Sequence, residues 1–292
     1  MKKHPILFSI LIIVLIVAVM SGAVLTLIYF TGGRTGTIQF GEHIALIEIQ
    51  GTLKDGDYVT NLLHRYARQT NVKAIIISIN SPGGGVAPSQ EIYREIKRVR
   101  EKKPVVAFMG SVAASGGYYV ASAASKIMAS PGTLTGSIGV IMEFANLEEL
   151  MKKIGVGATV IKSGLFKDIG SPVRPMTEDE RKFLKALVDD VNNQFINDVA
   201  KGRNLDVEKV RAIADGRIFT GKQAKELGLI DDLGNFRDAV DLTKKLANIK
   251  GEVKLLKPAE TLPSIWEYIV RGATHAVLDE LDMRAMSLRA VP

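Results

Sequence analysis

The chain has 292 residues, of which 47% are hydrophobic, and a formal net charge of +7 at pH 7. This length allows one sizeable hydrophobic core, or one core with a small satellite. The absence of cysteine excludes disulfides, thiolate nucleophiles and cysteine-bound metals. The densest basic stretch, residues 94–103, has the spacing of a solvated helix face. Because no aromatic side chains alternate with these charges, we expect no nucleic-acid partner.

An uncharged apolar run, residues 6–30, predicts a transmembrane helix at the N-terminus. As a helix it would be about 37 Å long, which is enough to cross a bilayer. Two preceding lysines predict a cytoplasmic N-terminus, residues 1–5, and a main domain on the outer side of the cell membrane. The alternative is a cleaved signal peptide, but the run is longer than an ordinary signal core. We therefore expect an uncleaved anchor followed by a glycine-containing linker, residues 31–42.

Apolar runs and helical patterns alternate from residue 43 onward, which predicts an α/β domain with mostly buried strands over residues 43–250. The predicted strands cover residues 44–49, 74–79, 105–109, 126–130, 137–142 and 159–163. The predicted helices cover residues 89–103, 177–202, 207–214, 221–227 and 236–247. Residues 251–292 form a C-terminal tail, in which residues 264–281 predict an amphipathic helix.

The stretch "GSVAASGGYY", residues 110–119, follows one of the predicted buried strands. Ser115 lies where a helix can begin, and a serine at that position is most often only a cap. The same position would also expose its hydroxyl beside backbone N–H groups and the positive end of the helix dipole. Gly116 and Gly117 leave room for a substrate carbonyl group. Ser115 is therefore a candidate nucleophile, and Ser111 is a weaker one because it lies earlier in the connection.

A second glycine cluster, in "INSPGGGVAPSQ" over residues 79–90, ends another predicted buried strand. Three glycines before a helix can be a flexible turn or a set of amides that binds an anion. They do not form a phosphate loop, because the lysine and hydroxyl of that motif are missing. An amide from Gly83 or Gly84, paired with the amide of Gly116, would form an oxyanion hole for acyl transfer.

A hydroxyl nucleophile needs a base to accept its proton. The chain has four histidines: His4, His43, His64 and His275. None of them adjoins a glycine-rich turn or a strand end where it could act as the base for Ser115. A lysine can act as the base where burial lowers its pKa from about 10.4. The segment "IKSGLFKDIGSP" offers Lys162 and Lys167, and its residues alone do not choose between them.

Five motifs occur in order between residues 44 and 247: "INSPGGG", "GSVAASGGYYVASAA", "TLTGSIGVI", "IKSGLFKD" and "ADGRIFTGKQAKELGLIDDLG". Together they resemble the bacterial signal peptide peptidase family in its short form. The resemblance implies a Clp protease/crotonase-like fold with an N-terminal transmembrane helix. It also implies a serine endopeptidase that uses a Ser–Lys dyad on released signal peptides and other unfolded apolar peptides, without a cofactor or a metal.

Matched motif by motif, the resemblance makes Ser115 the nucleophile and Lys167 the general base. Ser137, in "TGSIG", matches the hydroxyl that orients the lysine. The oxyanion hole is assigned to the amides of Gly83, Gly84 and Gly116. A carboxylate close to the Lys167 amine would weaken the base, so we expect the neighbouring Asp168 to point away.

The chain has room for one copy of the domain, so the resemblance implies a homo-oligomeric ring. The number of subunits stays open, as does whether the serine and lysine of one site belong to the same subunit. Two other functions also stay open from the sequence: a crotonase-type enzyme that acts on an acyl-coenzyme A, and a membrane scaffold that lacks catalysis. Fold alone does not separate these functions.

Overall fold

The computed structural model describes residues 12–23 and 41–258. Residues 12–23 are helical (α1) and belong to a first compact unit, Met1–Gly41, while the second unit begins at Glu42. No helix within the described ranges is both long and apolar enough to cross a membrane. The rest of the predicted span, residues 6–11 and 24–30, lies outside the described residues, as does the predicted tail helix over residues 264–281.

The second unit alternates strands and helices, as the sequence predicts. Its strands are β1 (His43–Gln50), β2 (Val72–Ser81), β3 (Val105–Ala114), β4 (Lys126–Ala129), β5 (Leu134–Gly136), β6 (Ile218–Thr220), β7 (Asp232–Leu233) and β8 (Lys254–Leu256). Its helices are α2 (Asp57–Arg68), α3 (Val86–Arg100), α4 (Gly116–Ser122), α5 (Glu148–Lys153), α6 (Glu178–Arg203), α7 (Val207–Arg211), α8 (Gly221–Glu226) and α9 (Phe236–Leu246).

These strands form one mixed sheet in the order β6-β5-β3-β2-β1-β8, in which β5 and β6 are antiparallel and the other neighbouring strands are parallel. Strand β3 divides the sheet, because its first half pairs with β4 and its last residues pair with β5. Strand β8 pairs with β1. The sheet therefore extends beyond the predicted domain boundary at residue 250.

Helices cover both faces of the central strands, so these strands are apolar on both sides. In β2, Ile75, Ile77 and Ile79 point into the larger core cluster under α2, α3 and α4. The alternate residues Ala74 and Ile76 belong to a smaller cluster that packs against α9. This burial on both faces explains why the central strands read as continuous apolar runs.

Two of the predicted strands are wrong. Residues 137–142 and 159–163 do not form strands, and the strand nearest to the first of them is β5, which ends at Gly136. The edge of β5 is already paired with β6. Ile161 is 96% exposed and Ile141 is 86% exposed, and only Ile138 of the first run is buried, so neither run has the burial on one face that would stabilise it as a strand within the subunit.

The long helix α6 begins as the sequence predicts. Thr177 caps it in a reciprocal capping box with Glu180, in which each side chain accepts a hydrogen bond from the other residue's main chain. The helix passes Gly202 and ends at Arg203, and its C-cap residue Asn204 has a left-handed backbone. Its second half packs into the core through Phe195 and Ile196, whereas most of its first half is exposed.

Candidate active site

Ser115 links the end of β3 to the first turn of α4. Its backbone has φ 51° and ψ −121°, a conformation that costs a residue with a side chain about 1–3 kcal/mol. The Ser115 hydroxyl makes no capping hydrogen bond to α4, so the ordinary role of a serine at a helix start does not apply. The carbonyl oxygen of Ser115 instead accepts the N–H of Tyr119 at 2.8 Å. The turn therefore holds a strained serine whose hydroxyl does not cap the helix.

Ser137 lies beside this turn because β3 and β5 pair up to their last residues. Ala114 is opposite Gly136 in the parallel register, and the N–H of Ser115 donates to the Gly136 carbonyl at 2.9 Å. Ser137 also has positive φ, 49°, and its N–H donates to the Arg217 carbonyl at 2.8 Å. Ser115 and Ser137, two of the three predicted catalytic side chains, thus directly follow the ends of the neighbouring strands β3 and β5.

The glycine turn after β2 approaches the same point. A Cβ on Gly83 would lie 2.8 Å from both the Ser115 Cβ and the Gly116 nitrogen, so only glycine fits there. The N–H of Gly83 already donates to the Ser81 hydroxyl at 3.1 Å. The Gly84 nitrogen lies 3.2 Å from the position of a Cβ on Gly116, so the amides of the glycine turn and of Gly116 come close together. The two clusters meet as the sequence suggests, and of the two glycine amides that of Gly83 is already bonded to Ser81.

A small pocket opens beside the Ser115 hydroxyl, and most of its side chains are apolar. It is lined by Gly84, Val86, Ser89, Ser115, Gly116, Tyr119, Gly139, Val140, Val191 and Phe195. Among these described residues there is no amine, imidazole or carboxylate group. Burial, and then a hydrogen bond to Asp198, raise the pKa of Tyr119, so its phenol stays protonated. The pocket suits an apolar side chain but holds no base for Ser115.

The histidines do not supply this base either. His43 is buried in β1, and His64 is exposed on α2. Neither residue lines the pocket at Ser115. His4 and His275 lie outside the described residues. Ser111, the weaker candidate nucleophile, is exposed within β3, whose residues around it are irregularly paired with β2.

Lys167 is exposed within a turn, residues 165–170, and its ammonium makes no hydrogen bond or ion pair with the described residues. A single subunit therefore does not join Lys167 to Ser115 or Ser137. Lys162 is different, because its ammonium binds an oxygen of Asp168 at 2.6 Å and the Leu165 carbonyl at 3.0 Å. Of the two lysines, Lys162 is the one already committed to other groups.

The turn that carries Lys167 is attached to α6 by contacts that the sequence analysis missed. Arg174 donates to Asp168 at 2.8 Å and to Glu180 at 2.9 Å. Phe166 stacks on Phe183 of α6, with 5.2 Å between the ring centroids. The sequence signal for these Arg174 contacts was an arginine between Pro172 and Pro175, shortly before the acidic first turn of α6.

Comparison with known protein families decides what this arrangement belongs to. The family model for peptidase family S49 matches residues 97–250, which is more than half of the chain. The chain belongs to peptidase family S49. It is a serine-type peptidase, and the match includes Ser115, Ser137 and Lys167. A second model, for Clp protease, matches residues 42–134, in agreement with the mixed α/β fold.

Three relatives of this S49 peptidase carry protease names. A Synechocystis sp. protein is 48% identical over 207 residues, which cover 70% of this chain and 75% of the relative. A Methanocaldococcus jannaschii protein is 36% identical over 264 residues, covering 85% and 84% of the two chains. The chloroplastic serine protease SPPA of Arabidopsis thaliana is 39% identical over 221 residues, covering 72% of this chain and 33% of the relative.

Proposed function

We propose that this S49 peptidase is a membrane-anchored endopeptidase that degrades released signal peptides and other unfolded apolar peptides. Ser115 is the nucleophile, Lys167 is the general base and Ser137 orients the lysine. The observation that carries the proposal is the strained Ser115 turn, whose hydroxyl does not cap α4 and which lies against the glycine turn after β2. Strain of this kind is typical of sites where it serves the mechanism.

The chemistry requires no cofactor and no metal. The Ser115 oxygen attacks the carbonyl carbon of the scissile peptide bond while its proton passes to the neutral Lys167 amine. The resulting oxyanion accepts hydrogen bonds from the N–H groups of Gly84 and Gly116. When the C–N bond breaks, the Lys167 ammonium returns the proton to the leaving amine. Water then hydrolyses the acyl-enzyme by the same proton transfers in the second half of the reaction.

The proposed active unit is a homo-oligomeric ring in which Lys167 of one subunit reaches Ser115 of the next. Two observations support it: the pocket at Ser115 lacks a base, and Lys167 is exposed and unpaired in the described part of the chain. Apolar side chains are also exposed along residues 141–166, including Leu150, Ile154 and Leu165. A segment with many exposed apolar side chains is typical of a protein–protein contact.

The substrate and the location are also part of the proposal. Val86, Val140 and Phe195 give the pocket beside Ser115 an apolar lining, which suits the apolar core of a signal peptide. The uncharged residues 6–30 are the proposed anchor in the cell membrane, with the peptidase domain on the outer side. Digestion of the domain by protease added to cells without a wall would support this location, and complete protection would contradict it.

A fluorophosphonate probe tests the proposed chemistry, because it labels serines that are activated as nucleophiles. We expect labelling of the wild-type oligomer at Ser115, loss of the label in Ser115→Ala, and retention in Ser111→Ala. A protein that hydrolyses acyl-coenzyme A without labelling would be a crotonase-type enzyme instead. A protein that neither labels nor cleaves apolar peptides, although it is folded and assembled, would be a scaffold.

A further inference from the structure

Asp168 is the residue most able to weaken Lys167 as a base, because it follows Lys167 directly in the chain. A carboxylate within about 4–6 Å of an ammonium stabilises the charged form. A general base has to be neutral when it accepts the proton of the nucleophile. The peptidase therefore needs a means of keeping these two neighbouring side chains apart.

Each carboxylate oxygen of Asp168 accepts a hydrogen bond from a different cationic side chain. Oδ1 accepts a hydrogen bond from the Lys162 ammonium at 2.6 Å, and Oδ2 accepts one from Nε of Arg174 at 2.8 Å. Arg174 Nη2 also donates to the main-chain carbonyl of Asp168 at 3.3 Å. The side chain of Asp168 is only 13% exposed, so it is enclosed by these partners rather than by water.

Arg174 is itself held by the start of α6. Its guanidinium donates from both terminal nitrogens to the carboxylate of Glu180, which is 2% exposed. Glu180 also accepts the N–H of Thr177 at 2.9 Å in the capping box. Because the far end of α6 packs in the core, the guanidinium has a rigid support on the side away from Asp168.

Protonation does not neutralise the Asp168 carboxylate. Hydrogen bonds from Arg174, and then from Lys162, hold the pKa of Asp168 well below its usual range. The charged groups around it are Lys162 and Lys167 from its own segment, Arg174 after it, and Glu180 of α6 behind Arg174. The carboxylate therefore remains an anion throughout the working range and has to be directed by cations.

We propose that Arg174, assisted by Lys162, is a positioning residue that keeps the Asp168 carboxylate away from the Lys167 amine. This inference rests on the proposed role of Lys167 as the base. Arg174 does not touch the substrate in this proposal and acts only through Asp168. By holding the Asp168 carboxylate, it raises the fraction of Lys167 that is neutral at a given pH.

The test uses full-length variants and the pH dependence of kcat/KM on an apolar peptide. Arg174→Gln is combined with Glu180→Gln, because removing Arg174 alone would leave a buried carboxylate without its partner. We expect the rise of kcat/KM with pH to move upward by about one pH unit, which is about tenfold lower activity on the acidic side. Adding Asp168→Asn to this pair should return the profile to that of the wild type.

Lys162→Gln is a second variant that should fold normally, because Lys162 lies in the exposed loop. It should shift the profile in the same direction by a smaller amount. Arg211→Gln, which breaks a surface ion pair with Glu208, is the matched control and should leave the profile unchanged. Thermal melting reports whether each variant is folded.

Unchanged profiles in both folded variants would overturn the inference, as would a shift that Asp168→Asn does not reverse. Failure of the proposed function gives a different result. In that case Lys167→Ala would keep its activity at neutral pH, whatever the Arg174 variants do.

Discussion

The main-chain N–H of Ser115 donates to the Gly136 carbonyl oxygen at 2.9 Å, one step beyond the last residue pair of β3 and β5. After this bond, the backbone following each of the two strands turns with positive φ, at Ser115 after β3 and at Ser137 after β5. Two strained residues that share one hydrogen-bonded ladder stabilise each other's position. The ladder therefore explains how the backbones of the two serines are brought to one point of the sheet.

Ser115→Gly should abolish peptidase activity and make the protein more stable. Glycine adopts the Ser115 conformation without strain, and after its larger loss of chain entropy the net gain should be roughly 1 kcal/mol. Denaturant unfolding measures this free energy. Ser111→Gly is the control, because φ at Ser111 is not positive, and it should lose about 0.5–1 kcal/mol. A Ser115→Gly protein less stable than the wild type would show that the turn is not strained.

Lys167→Ala should abolish peptide cleavage and probe labelling while the fold survives, because Lys167 is the proposed acceptor of the Ser115 proton and the described pocket lining offers no other amine. Lys162→Ala should keep most of the activity, since the Lys162 ammonium is bound to Asp168 and to the Leu165 carbonyl. Both variants are measured as kcat/KM on one apolar peptide, with circular dichroism to confirm folding. The opposite ranking would move the base to Lys162.

Gly83→Ala should lower kcat by about 100-fold or more, because its Cβ would press on the Ser115 Cβ and the Gly116 nitrogen and displace the oxyanion amides. Gly132→Ala is the matched control, since nothing lies within 4 Å of the added Cβ. Single-turnover measurements separate this loss of chemistry from a loss of substrate binding. Equal activity of the two variants would remove the glycine turn from the mechanism.

Acid should weaken the start of α6. The hydrogen bond from Arg174, and then that from the Thr177 main chain, lower the pKa of Glu180 from 4.5 to about 2. A carboxyl group with a lowered pKa stabilises the folded state above its unfolded pKa, and this stability is lost as the pH falls from about 4.5 towards 2.

Melting temperatures of the wild type and Glu180→Gln, measured from pH 6 to pH 2, check this expectation. The variant should melt lower than the wild type near pH 6, and the gap should narrow as the pH falls. Glu208→Gln, at a surface ion pair, should follow the wild type closely. A constant gap between Glu180→Gln and the wild type would contradict the assigned role of Glu180.

Ile161→Asp should weaken assembly and peptidase activity together without lowering the stability of the subunit, because Ile161 is 96% exposed in the described chain. Sedimentation of the variant in detergent, alongside its activity, measures both effects. Tyr58→Asp on α2 is the control, since Tyr58 is also exposed but lies outside residues 141–166. An active monomer of the wild type at working concentration would refute the proposed ring.

The sequence by itself determined the central strands, the starts of α6 to α9 except for a residue or so, and the position of Ser115 after a buried strand. These features depend on local physics: the continuous apolar runs of β1, β2 and β3, the capping box of α6, and small residues after a buried strand. Each signal lies within a few residues, so a single chain read in order is enough to predict it. The peptidase family followed from the order of five such motifs, and the family model confirms it.

Only the tertiary structure decided which groups meet. Residues 137–142 and 159–163 have the composition of strands, but strands need partners, and pairing with distant residues is not written in a local pattern. The commitment of the Gly83 amide to Ser81, and of Asp168 to Lys162 and Arg174, also depends on how the backbone turns in space. Hydrogen bonds and ion pairs between such segments arise only when the fold brings their atoms within about 3 Å.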